Sequence, residues 1–203
     1  MPQPGNPPPL RASRWAGMSV TNKILLGVAP IPGLIIAGAI VLRLFGLLVP
    51  FSLPTGSMIP AVCPGDHVFM EGLTFLLRPP RRGDVVVFQT TGISGLPQST
   101  FYIKRVAGLP NEHVQIRDGR LLINNRLVAL RNQRGEIAYN PPPFPETSAF
   151  ASDVTIPGGN YFLLGDNSTN SLDSRSFGCV PRQNIVGRVA MCYWPPNRMG
   201  RIR

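Results

Sequence analysis

One apolar run reads Phe101-Tyr102-Ile103-Lys104-Arg105-Val106-Ala107-Gly108, and it places a lysine inside a predicted β-strand. The chain of 203 residues has only two lysines against eighteen arginines, and Lys104 is the only lysine after residue 50. An arginine stays protonated in a protein, whereas a buried lysine can lose its proton. Lys104 is therefore a candidate for a group that works as a neutral amine. The alternative is a surface lysine of no special role.

Strand geometry favours burial of this lysine. Alternation places Tyr102, Lys104 and Val106 on one face of the strand, and no acidic residue lies within six positions of Lys104. A free lysine titrates near 10.4, so acting as a base near neutral pH requires a downward pKa shift of about three units, or roughly 4 kcal/mol. Desolvation can supply a shift of about 3–5 units. The competing interpretation is a lysine that extends along a strand edge into solvent.

The sequence around this run predicts a body made mainly of β-strands. Short apolar runs alternate with Gly, Pro and Asn, and no long amphipathic helical pattern is present. Strands are predicted at Val85–Phe88, Tyr102–Val106, His113–Ile116, Leu121–Ile123, Tyr161–Leu164 and Ile185–Tyr193. Their spacing is suited to a sandwich or a barrel.

Turns and loops separate these strands. Arg117-Asp118-Gly119-Arg120 predicts a hairpin, and Asn124-Asn125 predicts a second turn. Loops are expected at 90–100 and 140–145. The segment from about 111 to 160 is predicted to be a non-catalytic insertion.

Before the body, the sequence predicts a membrane anchor at 24–43. Ile24 to Leu42 is nineteen residues without a charge, and a helix of that length spans roughly 28 Å, close to the thickness of a bilayer core. Pro30 and Pro32 are near its start, where a helix tolerates proline best. A cleaved signal peptide has a shorter apolar stretch, and a core helix has a polar face that is absent here.

Flanking charges predict how this anchor is oriented. Arg11, Arg14 and Lys23 precede it, so the N-terminus is expected in the cytoplasm and residues 44–203 beyond the membrane. Residues 1–23 are predicted to be a disordered cytoplasmic tail, since they begin with a proline-rich stretch. The apolar run Leu44–Leu53 is too short to span, and it is interpreted as a strand or an interfacial segment.

The remaining composition argues against several classes of function. The net charge is +10, but there is no basic helix or basic-aromatic stripe, so attraction to an anionic membrane is preferred over nucleic acid binding. Cys63, Cys179 and Cys192 lack metal-ligand spacing, and a pair between Cys179 and Cys192 is left open. The two histidines, His67 and His113, are far apart and are expected to face solvent.

Four motifs follow one another along the chain: Pro54-Thr55-Gly56-Ser57-Met58-Ile59-Pro60, Arg82-Gly83-Asp84-Val85-Val86-Val87-Phe88, Tyr102–Pro110, and Gly165-Asp166-Asn167 through Pro181. Together they resemble the motifs of type I signal peptidases, the membrane-bound serine proteases of family S26. Their order matches the family, and the tail Tyr193–Gly200 is similar to members from cyanobacteria and plastids. The resemblance implies an antiparallel β-sheet catalytic body with one N-terminal transmembrane helix.

The resemblance also implies roles for particular residues. Ser57 is expected to be the nucleophile and Lys104 the general base, while the Thr55 hydroxyl and the Ser57 N–H form the oxyanion hole. Ser171 is expected to hydrogen-bond and orient the lysine amine. The supporting residues are expected to be Gly165, which leaves room beside the site, together with Asp166 and an ion pair of Asp173 with Arg175. The substrate groove is expected to be lined by Leu53, Met58, Val62, Tyr102 and Ile103.

The implied function is removal of N-terminal signal peptides from exported preproteins, with cleavage after small residues of the Ala-x-Ala type. The expected partners are preprotein signal peptides and a lipid bilayer, with no metal, cofactor or nucleic acid. The expected location is the cell membrane or a thylakoid membrane. Two alternatives stay open: a dedicated peptidase for one substrate, such as a pilin or an organellar precursor, and an inactive, membrane-tethered peptide-binding module.

This sequence departs from the family pattern at two places. Thr55 stands where the bacterial enzymes more often have serine; it keeps the hydroxyl but has a stiffer side chain. Ser168-Thr169 replaces a pair that usually begins with a basic residue, which affects the expected contacts of that loop.

Overall fold

A computed structural model describes residues 19–140 and 153–202. The chain divides after Leu44 into two compact units. Most of the predicted cytoplasmic tail and nearly all of the loop predicted at 140–145 lie outside the described residues.

Two short apolar helices form the described part of the first unit. Helix α1 (Val20–Val28) is capped by the side chain of Ser19, and α2 (Ile31–Leu44) follows after Ala29 and Pro30. The continuous helix predicted from the sequence is therefore interrupted. Pro30 and Pro32 have no N–H to donate to the preceding turn, so the helical hydrogen bonding fails where they fall. Among the described residues, no helix is both long and apolar enough to cross a membrane.

The second unit is mainly β, as predicted. Its strands are β1 (Leu48–Ser52), β2 (His67–Glu71), β3 (Val85–Gln89), β4 (Phe101–Gly108), β5 (His113–Arg117), β6 (Arg120–Ile123), β7 (Arg126–Val128), β8 (Arg131–Asn132), β9 (Gly135–Glu136), β10 (Asp153–Thr155), β11 (Asn160–Leu164), β12 (Val180–Pro181), β13 (Ile185–Trp194) and β14 (Gly200–Arg201). Two short helices, α3 (Leu73–Leu77) and α4 (Ser174–Phe177), complete it, with 3₁₀ turns at Ser168–Asn170, Arg182–Asn184 and Pro196–Arg198.

The main sheet positions the site. Its strand order is β1-β2-β13-β3-β4-β11-β12, with β14 added beside β13, and the pairings between these strands are antiparallel. Strand β3 is the buried run Val85–Gln89, and its Val86 pairs with Lys104 of β4. Lys104 therefore stands in the interior of the sheet, between two neighbouring strands.

A second sheet, of order β10-β5-β6-β7, is formed by strands within the predicted insertion. Both predicted turns are confirmed: Arg117 pairs with Arg120 across one, and Ile123 with Arg126 across the other. Asp118, Gly119, Asn124 and Asn125 all have positive φ, from 50° to 73°, which is the backbone of a two-residue hairpin turn. Strands β8 and β9 form a separate small hairpin.

The predicted strands all exist, and the structure adds others. The sequence did not predict β2, β7, the β8–β9 hairpin, β10, β12 or β14, most of which are very short. Leu44–Leu53, for which strand and interfacial segment were left open, contains strand β1. His67 begins β2 and is exposed, and the three cysteines are free thiols. The open pairing of Cys179 with Cys192 is therefore not formed.

Candidate active site

The segment before Ser57 is a turn held by the loop that contains Asn167. The Asn167 side-chain amide donates to the Gly56 carbonyl at 3.0 Å, and its backbone N–H donates to the Ser57 carbonyl, also at 3.0 Å. Just after Ser57, the fully buried side chains of Met58 and Val62 fix the segment in the core. Ser57 is thus held from both sides, and its side chain keeps only a small exposed fraction.

Lys104 points at Ser57 from the middle of strand β4. Its Nζ lies 2.8 Å from Ser57 Oγ and 3.1 Å from the Ile103 carbonyl. The residue is only 3% exposed, and the Tyr102 ring lies 5.6 Å from Nζ. Tyr102 therefore lies beside the amine, in accord with the alternation predicted for the strand.

Burial changes the acidity of this amine. Desolvation lowers the pKa of Lys104 from 10.5 to about 8, because water no longer stabilises the charged form. Asp173 and Asp166 oppose the shift and Arg175 reinforces it. The lysine is thus partly neutral slightly above physiological pH, as a general base requires.

The two carboxylates near Lys104 are each bound by a buried arginine. Arg105 donates to Asp166 from Nε at 2.7 Å and from Nη2 at 2.6 Å. Arg175 donates to Asp173 from Nε and from Nη2, both at 2.8 Å. Each guanidinium balances the negative charge of one carboxylate. Asp166 and Asp173 therefore stabilise the protonated form of Lys104 less than unpaired carboxylates would. The sequence predicted the pair of Asp173 with Arg175 but not that of Arg105 with Asp166.

Gly165 lies where a side chain has no room. A Cβ at this position would come within 2.1 Å of Ser171 Oγ and 2.6 Å of the Ser57 carbonyl oxygen. Its N–H donates to Asp173 at 3.0 Å, so the end of β11 passes directly behind the nucleophile segment. The room that Gly165 was predicted to leave beside the site is filled by Ser171 and Ser57.

The contacts of Ser171 differ from the predicted ones. It is 1% exposed, yet its hydroxyl has no hydrogen-bond partner among the described residues. The predicted hydrogen bond to Lys104 is therefore not formed; the amine is oriented by Ser57 and the Ile103 carbonyl instead.

The Thr55 hydroxyl lies beside the nucleophile. Its Oγ1 is 3.4 Å from Ser57 Oγ, and the residue is exposed to the groove side of the turn. A hydroxyl at this position can donate to an oxygen that develops negative charge next to Ser57.

An apolar cavity of about 450 Å³ opens above Ser57 and Lys104. Of the predicted groove residues, Leu53, Tyr102 and Ile103 line it, whereas Met58 and Val62 belong to the core beneath. The correction follows from their burial, since both have no exposed surface. Seven further residues that the sequence did not predict also line the cavity: Phe51, Ser52, Pro54, Thr100, Phe101, Asn170 and Leu172.

Asn167 and Arg105 are the main site residues that sequence reasoning did not single out. Arg105 lies on the opposite face of β4 from Lys104. Its burial could be predicted only by someone who knew that both faces of β4 are covered. Asn167 adjoins Asp166 in the fourth motif, and its contact with Gly56 spans 111 residues of sequence.

A serine hydroxyl hydrogen-bonded to a buried, weakly basic amine beside an apolar groove is typical of serine hydrolases that use lysine as the base. Comparison with known proteins agrees with this class. The family model described as signal peptidase, peptidase S26, matches residues 26–194. The chain therefore belongs to the signal peptidase family, peptidase S26, and is a peptidase.

Relatives are found in cyanobacteria and plastids, as the tail motif predicted. Signal peptidase I of Leptolyngbya laminosa is 37% identical over 74% of this chain and 70% of its own length. A probable signal peptidase I-2 of Synechocystis is 33% identical over 73% of this chain and 64% of its own length. Thylakoidal processing peptidase 1 of Arabidopsis thaliana is 30% identical over 93% of this chain, which spans 55% of that relative.

Proposed function

We propose that this chain is a membrane-bound endopeptidase that removes N-terminal signal peptides from exported preproteins, with Ser57 as nucleophile and Lys104 as general base. The observation that carries the proposal is the 2.8 Å contact between Lys104 Nζ and Ser57 Oγ in a buried setting. The names of the relatives support the substrate class, since they are signal peptidases and thylakoidal processing peptidases.

In the proposed reaction the substrate lies extended in the apolar cavity, between the segment before Ser57 and strand β4. Main-chain hydrogen bonds to these segments would give affinity independent of sequence. Pockets lined by Leu53, Tyr102 and Ile103 would accept the small residues of an Ala-x-Ala cleavage site.

Lys104, as the neutral amine, takes the Ser57 proton while Oγ attacks the scissile carbonyl carbon. The Thr55 hydroxyl and the Ser57 N–H stabilise the oxyanion. The C–N bond then breaks, Lys104 delivers its proton to the leaving amine, and an ester on Ser57 remains. Lys104 next activates a water molecule that hydrolyses the ester and frees the signal peptide. Gly165, Asp166, Asp173 and Arg175 act by holding the two reacting groups in position, while the buried Ser171 packs against Gly165.

The anchoring of the enzyme is a further part of the proposal. Most of the described apolar residues of α1 and α2 are exposed, and no residue of α2 is buried. Helices that are hydrophobic on all sides are stable in lipid. We assign residues 24–43 to a membrane anchor, residues 44–203 to the outer face and the sheet within 111–160 to a non-catalytic insertion.

The test of the chemistry compares three full-length proteins on one purified preprotein, with the products identified by mass spectrometry. Wild type is expected to cut once, after an Ala-x-Ala site. Ser57→Ala and Lys104→Arg are both expected to lose at least about a thousandfold in rate. Since Arg keeps the charge and most of the volume, retained activity in Lys104→Arg would rule out the proposed base.

A panel of unrelated preproteins separates a general peptidase from a dedicated one. Comparable cleavage of several substrates supports the general function, and cleavage of one alone supports the dedicated alternative. Failure of Ser57 to react with a serine-directed acylating inhibitor, together with peptide binding, would support the inactive binding module.

A further inference from the structure

A polar trough, which shares no lining residue with the apolar cavity, lies next to the turn that contains Ser57, at Ile59, Pro60 and Asn167. It consists of a cavity of about 330 Å³ between the β8–β9 hairpin and the Ile59–Pro60 segment, and a neighbouring one of about 410 Å³. Pro60 and Arg134 line both cavities, so they adjoin each other. None of the site residues predicted as catalytic or substrate-binding lines either one.

Gly56 lies next to one residue of the trough and one residue of the apolar cavity. A Cβ on Gly56 would lie 3.1 Å from Ile59 Cδ1, which lines the trough, and 3.5 Å from Asn170 Nδ2, which lines the apolar cavity. The glycine has no positive φ, so its small size rather than its backbone conformation matters here. A side chain at position 56 would crowd Ile59, which lines the trough.

The chemistry of the trough differs from that of the apolar cavity. Asp166 at its base is already bound by Arg105, and Arg198 at its far end is bound by Asp66. Among the residues that the structure describes, Arg134, Arg201 and Glu136 are the lining charges without an ion-pair partner, and all three are exposed. Two cations against one anion give the trough a surplus of positive charge.

We propose that this trough binds the first residues of the mature chain, on the far side of the scissile bond, and that Arg134 favours an acidic side chain among them. The inference rests on the proposed function, in which the apolar cavity holds the signal peptide. A chain that is extended through Ser57 must leave on the opposite side of the nucleophile. There it meets polar groups, which suit a segment that becomes the surface-exposed start of a soluble protein.

The expected size of the effect is modest, because Arg134 is exposed. Ion pairs at exposed positions change affinity by about two- to fivefold, and salt screens them. The ion pair with Arg134 would contribute to substrate binding rather than to the chemical step. Its loss is therefore expected to change KM and to leave kcat nearly constant.

The test uses the full-length enzyme and synthetic peptides with one Ala-x-Ala site, carrying Glu or Arg at each of the second to fifth mature positions. Wild type is expected to prefer Glu over Arg by about two- to fivefold in kcat/KM at one or more positions, and to lose this preference in high salt. Arg134→Glu is expected to reverse the preference. Arg120→Glu, an exposed arginine of β6 outside the trough, is the matched control and is expected to leave it unchanged.

The outcomes distinguish the two proposals. If wild type cuts the peptides but Arg134→Glu leaves the preference as it was, the trough does not bind the mature segment, and the proposed function stands. A preference that Arg120→Glu reverses equally would also overturn the assignment, since a general surface field would then explain it. If wild type cuts none of the peptides, the proposed function fails and the inference falls with it.

Discussion

As the proposed general base, the buried amine of Lys104 is expected to make the rate depend on pH. Its pKa of about 8 means that most of the enzyme carries a protonated, inactive lysine below that pH. We expect kcat/KM for an uncharged peptide to rise with pH through a midpoint near 8 and then level off. A rate that is flat from pH 6.5 to 9.5 would contradict a lysine base.

The same burial costs stability. The folded pKa lies below the unfolded one by about 2.5 units (10.5 against about 8), so the penalty is fully present below pH 8 and disappears as pH rises toward 10.5. Lys104→Met, which keeps the volume without a charge, is expected to raise the free energy of unfolding by about 3 kcal/mol at pH 7. Urea denaturation measures this.

Ser57→Ala is the control for that measurement. It also removes activity, but it leaves the amine buried, so no comparable gain is expected. Equal gains in both variants would mean that the stability does not come from the desolvated lysine.

At the scale of elements, the end of β11 is packed against the nucleophile segment through Gly165. Gly165→Ala is expected to lower the free energy of unfolding by about 1–3 kcal/mol, since a methyl group there collides with Ser171 and the Ser57 carbonyl. Displacing Ser57 from Lys104 is expected to reduce kcat by about a hundredfold. Thermal unfolding and peptide cleavage report the two effects.

Gly158 offers the matched substitution. Among the described residues, a Cβ there meets only Asn111 Oδ1, at 3.5 Å, and the φ of Gly158 is not positive. Gly158→Ala is therefore expected to keep both activity and stability. If Gly165→Ala behaved in the same way, close packing behind Ser57 would not be needed for function.

Sequence pattern was sufficient for the longer strands, and it singled out Ser57 and Lys104, whose Oγ and Nζ atoms the fold brings within 2.8 Å. The β-branched run at Val85–Val87 and the positive-φ turn residues Asp118-Gly119 determine structure locally, so a pattern detects them. Strands of two or three residues, such as β10 and β12, depend on partner strands that are distant in the sequence. The same holds for the hydrogen bonds from Asn167 and for the pair of Arg105 with Asp166, which join residues more than 60 positions apart.

The motif-based prediction for Met58 and Val62 was inaccurate for a related reason. An apolar residue next to a nucleophile can face the substrate or the core, and only the packing of β2, β3 and β13 against the segment decides between them. In the structure, both side chains are part of the hydrophobic core.

For the whole molecule, the proposed anchor predicts how the protein partitions. Full-length protein expressed in bacteria is expected to stay with the membrane fraction after extraction with alkaline carbonate. A variant without residues 1–43 is expected to be released, because the body is a compact unit with its own sheets and core. Release of the full-length protein would contradict the proposed membrane anchor. Retention of the shortened protein would mean that part of the affinity for the membrane comes from the body.

The scarcity of lysine has a practical consequence for spectroscopy. Growth with isotope-labelled lysine introduces only two side-chain nitrogen signals, and only one of them belongs to the folded body. The protonation of Lys104, the proposed general base, can therefore be followed directly by NMR, without the overlap that many surface amines cause in other enzymes.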